Sequence, residues 1–106
     1  MIKVQITREA EESIIGFRVS GHANTAPKGQ DIVCAGVSAL TQAAVLGLDR
    51  CLQRQMKLEI TSGRLLMELT GPPDERTQAI LETMLLGIKE IAGTYPKSVQ
   101  IQEHRR

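Results

Sequence analysis

Ile2, Val4 and Ile6 alternate with Lys3, Gln5 and Thr7, the period-two pattern of a half-buried strand. A charged turn, residues 9–12, separates it from a second alternating run. There Ile15, Phe17 and Val19 face one way, opposite Gly16, Arg18 and Ser20, and the short spacing predicts an antiparallel hairpin. Residues 21–31 (GHANTAPKGQD) contain Gly, Asn and Pro without an apolar period and read as a loop. Asp31 is then placed as the N-cap of a helix from residue 32 to about 53, with Val33, Val37, Leu40, Ala44, Leu48 and Cys51 as its buried stripe. Small residues at Ala35, Gly36, Ala39 and Gly47 predict close packing of this helix on a sheet. A second hairpin follows. Leu58 and Ile60 point inward on its first strand, Ser62-Gly63 makes the turn, and Leu65, Met67 and Leu69 share a face on its second. Gly71-Pro72-Pro73 breaks the chain, and Asp74 caps a helix to about residue 92 that buries Ile80, Met84, Gly87, Ile88 and Ile91. Tyr95-Pro96 ends it, and Val99 and Ile101 form a short last strand before a polar tail, residues 103–106. The order ββαββαβ predicts an α+β fold. It is a two-layer sandwich of two helices on one mixed or antiparallel sheet of about five strands, in a single domain over residues 1–106.

Composition narrows this picture. The chain is 42% hydrophobic and 24% charged, which suits a folded domain, but it has one Phe, one Tyr and no Trp, so the core is aliphatic. A net charge of +1 with scattered Lys and Arg provides no basic patch, and the missing aromatics provide no base-stacking platform; direct nucleic-acid binding is not expected. The apolar run 32–48 is short for a bilayer span, and the N-terminus lacks the apolar block of a signal peptide. The expectation is a cytoplasmic protein, without membrane attachment, whose two cysteines are reduced.

Candidate chemistry concentrates in the loop and the start of the first helix. His22 and Cys34 bracket the loop, twelve positions apart. As the third helical residue, Cys34 sits where unpaired N–H groups and the macrodipole favour a thiolate, and those N–H groups can also form an oxyanion hole. A nearby imidazole can take the thiol proton and return it to a leaving amine. Against this stands the common fate of a free cysteine, which is burial as a small hydrophobe. Cys51 shows the contrast: it falls on the apolar stripe and reads as core packing, roughly 25 Å along the axis from Cys34, out of reach of a disulfide. His104 reads as a solvated tail residue. Two cysteines and two histidines do not reach a metal-site spacing, and no metal or other cofactor is expected. Asp31 either caps the helix or orients His22. Ser38, four residues after Cys34, either bonds the sulfur or substrate or back-bonds to the Cys34 carbonyl. Residues 23–30, with Pro27 and Gly29, are expected to act as a lid over bound peptide.

Gly21-His22-Ala23, Gly29, Asp31-Ile32-Val33-Cys34-Ala35 and Val37-Ser38 together resemble the ribosomal-processing cysteine protease family (Prp). The resemblance covers nearly the whole chain and includes the order of elements; Gly36, where many members carry Ala, is a mild variation. It implies that His22 and Cys34 form a catalytic dyad, and that Asp31 and Ser38, with the motif glycines Gly21 and Gly29, orient the dyad or bind substrate. It also implies a substrate. Such enzymes, found in bacteria such as Firmicutes, trim a short N-terminal extension from large-subunit ribosomal protein number twenty-seven, cleaving after a Phe in an apolar-rich segment. The family tends to be homodimeric, which small residues at Gly36, Ala39 and Ala43 would permit. Two other readings of the same residues stay open: a non-catalytic ribosome-associated module, and another thiol hydrolase such as a thioesterase.

Overall fold

A computed structural model describes residues 1–21 and 30–106. The chain runs β1 (Ile2–Arg8), β2 (Ile14–Ser20), α1 (Gln30–Leu46) with a π-helical turn Gly47–Cys51, β3 (Met56–Thr61), β4 (Arg64–Leu69), α2 (Glu75–Thr94) and β5 (Val99–Arg105). The five strands form one sheet in the order β3-β4-β2-β1-β5. All neighbours pair antiparallel except β1 and β5, which are parallel, so the sheet is mixed as expected. Both helices cover one face. Val4, Ile6, Ile14, Phe17 and Met67 from the sheet meet Val33, Val37, Leu48, Leu81, Leu85 and Ile88 from the helices in an aliphatic core around the single Phe.

Several inward assignments shift by a residue. Ile14, not Ile15, enters the core, because the β1–β2 register slips after Thr7↔Gly16 to Arg8↔Ile14 and leaves Ile15 as the extra residue of a bulge. Along α2 the buried side chains are Thr77, Leu81, Met84, Leu85 and Ile88, with Ile80 and Ile91 only half-buried at its margin. Its start is as predicted: Asp74 accepts from the Thr77 amide at 2.8 Å while its own amide donates to Thr77 Oγ1 at 3.0 Å, a reciprocal cap. The small residues of α1 do not approach the sheet. A Cβ at Gly36 would stand 3.1 Å from Ile91 Cδ1 and one at Gly47 3.2 Å from Ile80 Cδ1, so these glycines serve contact between α1 and α2; Ala35 and Ala39 are exposed. The two helices therefore run antiparallel, and the Cys34 end of α1 lies beside the C-terminal end of α2.

Cys51 is exposed, contrary to the expectation of core packing. The Leu52 amide bonds Gly47 O, five residues back, at 3.2 Å. That wider turn means that three steps from Leu48 no longer return a side chain to the buried face. The turn also prolongs the helical stretch. Ile32–Cys51 is long and apolar enough in composition to cross a membrane, where the shorter run 32–48 reads as too short, although one of its faces is committed to the core.

β5 reaches Arg105 rather than stopping near Ile101, so most of the expected polar tail is strand. Alternation continues with charged groups: Glu103 follows Ile101 on the helix side, where Arg8 awaits it. Arg8, 9% exposed, donates from Nε to Glu103 at 2.7 Å and from its terminal nitrogens to Glu82 at 2.9 and 3.2 Å and to Glu12 O at 2.7 Å. These bonds raise the Arg8 pKa, and the guanidinium holds the Glu103 carboxyl below its ordinary range. A carboxyl depressed in the folded state stabilises above its unfolded pKa and loses that contribution as pH falls through the folded value. Glu103→Gln should therefore lower stability at pH 7 by about 1 kcal/mol or less, the pair being partly solvated. In thermal melts across pH, the gap to wild type should close below about pH 4.

Candidate active site

α1 passes beside the β3–β4 side of the sheet without closing on it, and a groove of about 570 Å³ remains between them. One full stripe of α1 forms the first wall: Cys34, Val37, Ser38, Thr41, Gln42, Val45, Leu46 and Asp49, spaced at three and four residues. The opposite wall comes from β3, β4 and the open ends of β1 and β2, chiefly Leu58, Ile60, Leu65, Val19 and Ile2. Leu58 and Ile60 were expected in the core, yet they are 40% and 66% exposed. β3 is an edge strand beyond the reach of the helices, and its inward face opens onto the groove instead.

Cys34 is half-buried, touches the core and lines the groove. Its position in α1 differs from the expected one. The helix starts at Gln30, so Asp31 stands within the first turn rather than capping it, and Cys34 is the fifth helical residue rather than the third. An acidic residue is favoured at either place by the same unpaired N–H groups, which is why the two are not distinguished by residue type. The thiol consequently lies at the start of the second turn, just past the free N–H groups. Ser38 is exposed one turn on, in the same wall. The back-bonding hydroxyl of this helix is that of Thr41, buried, whose Oγ1 donates to Val37 O at 3.0 Å and Ser38 O at 3.2 Å.

Gly21 closes the Cys34 end. Its φ of +94° is left-handed, its amide donates to Gly63 O at 3.2 Å, and a Cβ there would collide with the Met1 carbonyl. Gly21→Ala should cost about 2 kcal/mol or more and distort this end of the groove. Thermal denaturation and peptidase assay of the folded fraction check both effects. His22, Gly29 and the expected lid, residues 23–30, fall outside the described residues apart from the backbone of Gln30. His104 is exposed on β5, where it pairs with Thr7 on the sheet face away from the helices. Reading the sequence missed Gln42, Asp49, Leu58, Ile60 and Arg64 as groove residues. For Leu58 and Ile60 the alternation was visible, but nothing local marks an edge strand.

The groove puts a thiol at one end of a mostly apolar channel. The family model described as cysteine protease Prp matches residues 1–100. The ribosomal processing cysteine protease Prp of Bacillus subtilis is 30% identical over 107 residues, covering 95% of this chain and 96% of that protein. Crystal structures of the ribosomal processing protease Prp from S. aureus superpose over 97% of this chain and 99% of theirs. The complex with a substrate peptide gives a TM-score of 0.90 at 26% identity, and that with a covalently linked product peptide 0.88 at 27%. With the fold, the half-exposed thiol and these likenesses in agreement, this chain belongs to the cysteine protease Prp family and is a thiol hydrolase.

Proposed function

We propose that this protein is a cytoplasmic endopeptidase that removes the N-terminal extension of large-subunit ribosomal protein number twenty-seven, with His22 and Cys34 as its dyad. His22 takes the Cys34 proton, and the thiolate attacks the scissile carbonyl carbon. N–H groups at the start of α1 hold the oxyanion. Collapse breaks the C–N bond as His22 protonates the leaving amine, and the extension remains as a thioester on Cys34. Water, deprotonated by His22, then hydrolyses that thioester and regenerates the thiol. Asp31, Ser38, Gly21 and Gly29 orient the dyad or the bound peptide.

One observation carries this reading: Cys34 lines an apolar groove in which Val37, Val45, Leu46, Leu58, Ile60 and Leu65 suit an apolar-rich segment ending in Phe. Gly21, bonded directly to His22, lines the same groove. A homodimer is part of the proposal. Within Ile32–Cys51 only Val33, Val37, Thr41, Ala44 and Leu48 are buried, and Ile32, Ala35, Ala39 and Ala43 are exposed, so α1 offers apolar surface for a second copy. The test is incubation with the unprocessed ribosomal protein followed by mass spectrometry. A single new N-terminus after Phe is expected. An intact precursor alongside rapid hydrolysis of acyl thioesters would indicate a thioesterase instead.

A further inference from the structure

Among the described residues, the groove lining carries two charged side chains, Arg64 and Asp49. They stand at opposite ends. Arg64 pairs with Ser20 in the sheet, next to Gly21 and Gly63 at the Cys34 end. Asp49 follows Cys34 by fifteen residues, in the π-helical turn where Gly47 meets Ile80 near the start of α2. The side chains between them along the α1 wall are Val37, Ser38, Thr41, Gln42, Val45 and Leu46, none charged. Asp49 is exposed, lines the groove and makes no ion pair within 4.0 Å with the described residues.

We propose that Asp49 is a specificity-determining residue that selects peptides with a cationic group at a fixed distance from the scissile bond. The inference rests on the peptidase reading above and adds a polarity to it. Fifteen helical residues span about 22 Å. An extended peptide covers that distance in about six or seven residues at roughly 3.3 Å each. A Lys or Arg side chain reaches several ångströms further, which places the cationic group about five to seven residues from the scissile bond; we assign it to the side of the extension, the part held on Cys34 in the acyl-enzyme. A free N-terminal ammonium at that distance has the same chemistry. The apolar lining between recognises the intervening side chains, and the carboxylate reads charge at the far end, as a ruler.

The affinity of the Cys34→Ala protein for fluorescently labelled ten- to twelve-residue apolar peptides tests this without requiring cleavage. One series carries a single Lys at each position from three to nine residues before the scissile bond, with acetylated N-termini. A second series varies only the position of a free N-terminus. Affinity should peak at five to seven residues, about fivefold above the Gln-substituted peptide, and the peak should shrink with added salt. In the Cys34→Ala background, Asp49→Asn should flatten the profile, and Asp49→Lys should turn the preference to Glu-bearing peptides. A flat profile in the presence of Asp49, or a peak that persists in Asp49→Asn, overturns the proposal. Cleavage of the same peptides by the protein with Cys34 intact is read separately: a binding peak without cleavage leaves Asp49 as a recognition residue and removes the peptidase reading.

Discussion

Cys34→Ala is expected to abolish cleavage, with a loss on the order of 10⁴ or more, because removal of the nucleophile leaves only binding and oxyanion stabilisation. The fold should survive. Cys34 is half-buried at the margin of the core rather than within it, so loss of one sulfur atom should cost about 1 kcal/mol or less. Cys51→Ser is the matched control. It changes the other cysteine, exposed at the end of the π-helical turn, and should alter neither activity nor stability measurably. Activity is read as kcat/KM on a precursor peptide, and folding by thermal denaturation of each variant. Appreciable turnover by folded Cys34→Ala would end the thiol mechanism, and inactivity of folded Cys51→Ser would move the nucleophile.

His22→Ala should slow turnover by about 10² or more, the usual scale of a positioned acid–base group. The loss should fall mainly on kcat, since the imidazole acts on the thiol proton and the leaving amine rather than on substrate affinity. His104→Ala should be silent, because His104 lies on the opposite face of the sheet from the groove. The comparison is internal to a chain with two histidines. Equal losses from the two substitutions would dissolve the dyad.

Most of the architecture was legible because local signals agreed with one another. The alternation at Ile2, Val4 and Ile6 and the helix cap at Asp74 both stand in the structure as the residue types predict, and Thr77 adds a reciprocal bond that was not foreseen. What was not legible depends on partners distant in the chain. The bulge at Ile15 arises from pairing with β1, and the exposure of Cys51 from a single i→i+5 turn that apolar spacing does not encode. Gly36 and Gly47 have the composition of a sheet contact and serve a helix contact, since a small residue marks closeness and not its partner. The candidate site divides in the same way. Cys34 is visible from its motif and its place near a helix start. Its opposite wall is built from Leu58 and Ile60, which become groove residues only because β3 is the edge strand and α1 stops short of it.

The most direct measurement is a search for the acyl-enzyme. The protein is mixed with a precursor peptide, quenched in acid during turnover, digested, and mapped by mass spectrometry. The peptidase account predicts an adduct equal in mass to the N-terminal extension less one water, held as a thioester on the fragment containing Cys34 and absent from the fragment containing Cys51. Cleavage that proceeds at full rate with the adduct on Cys51, or with Cys34 alkylated beforehand, would contradict it.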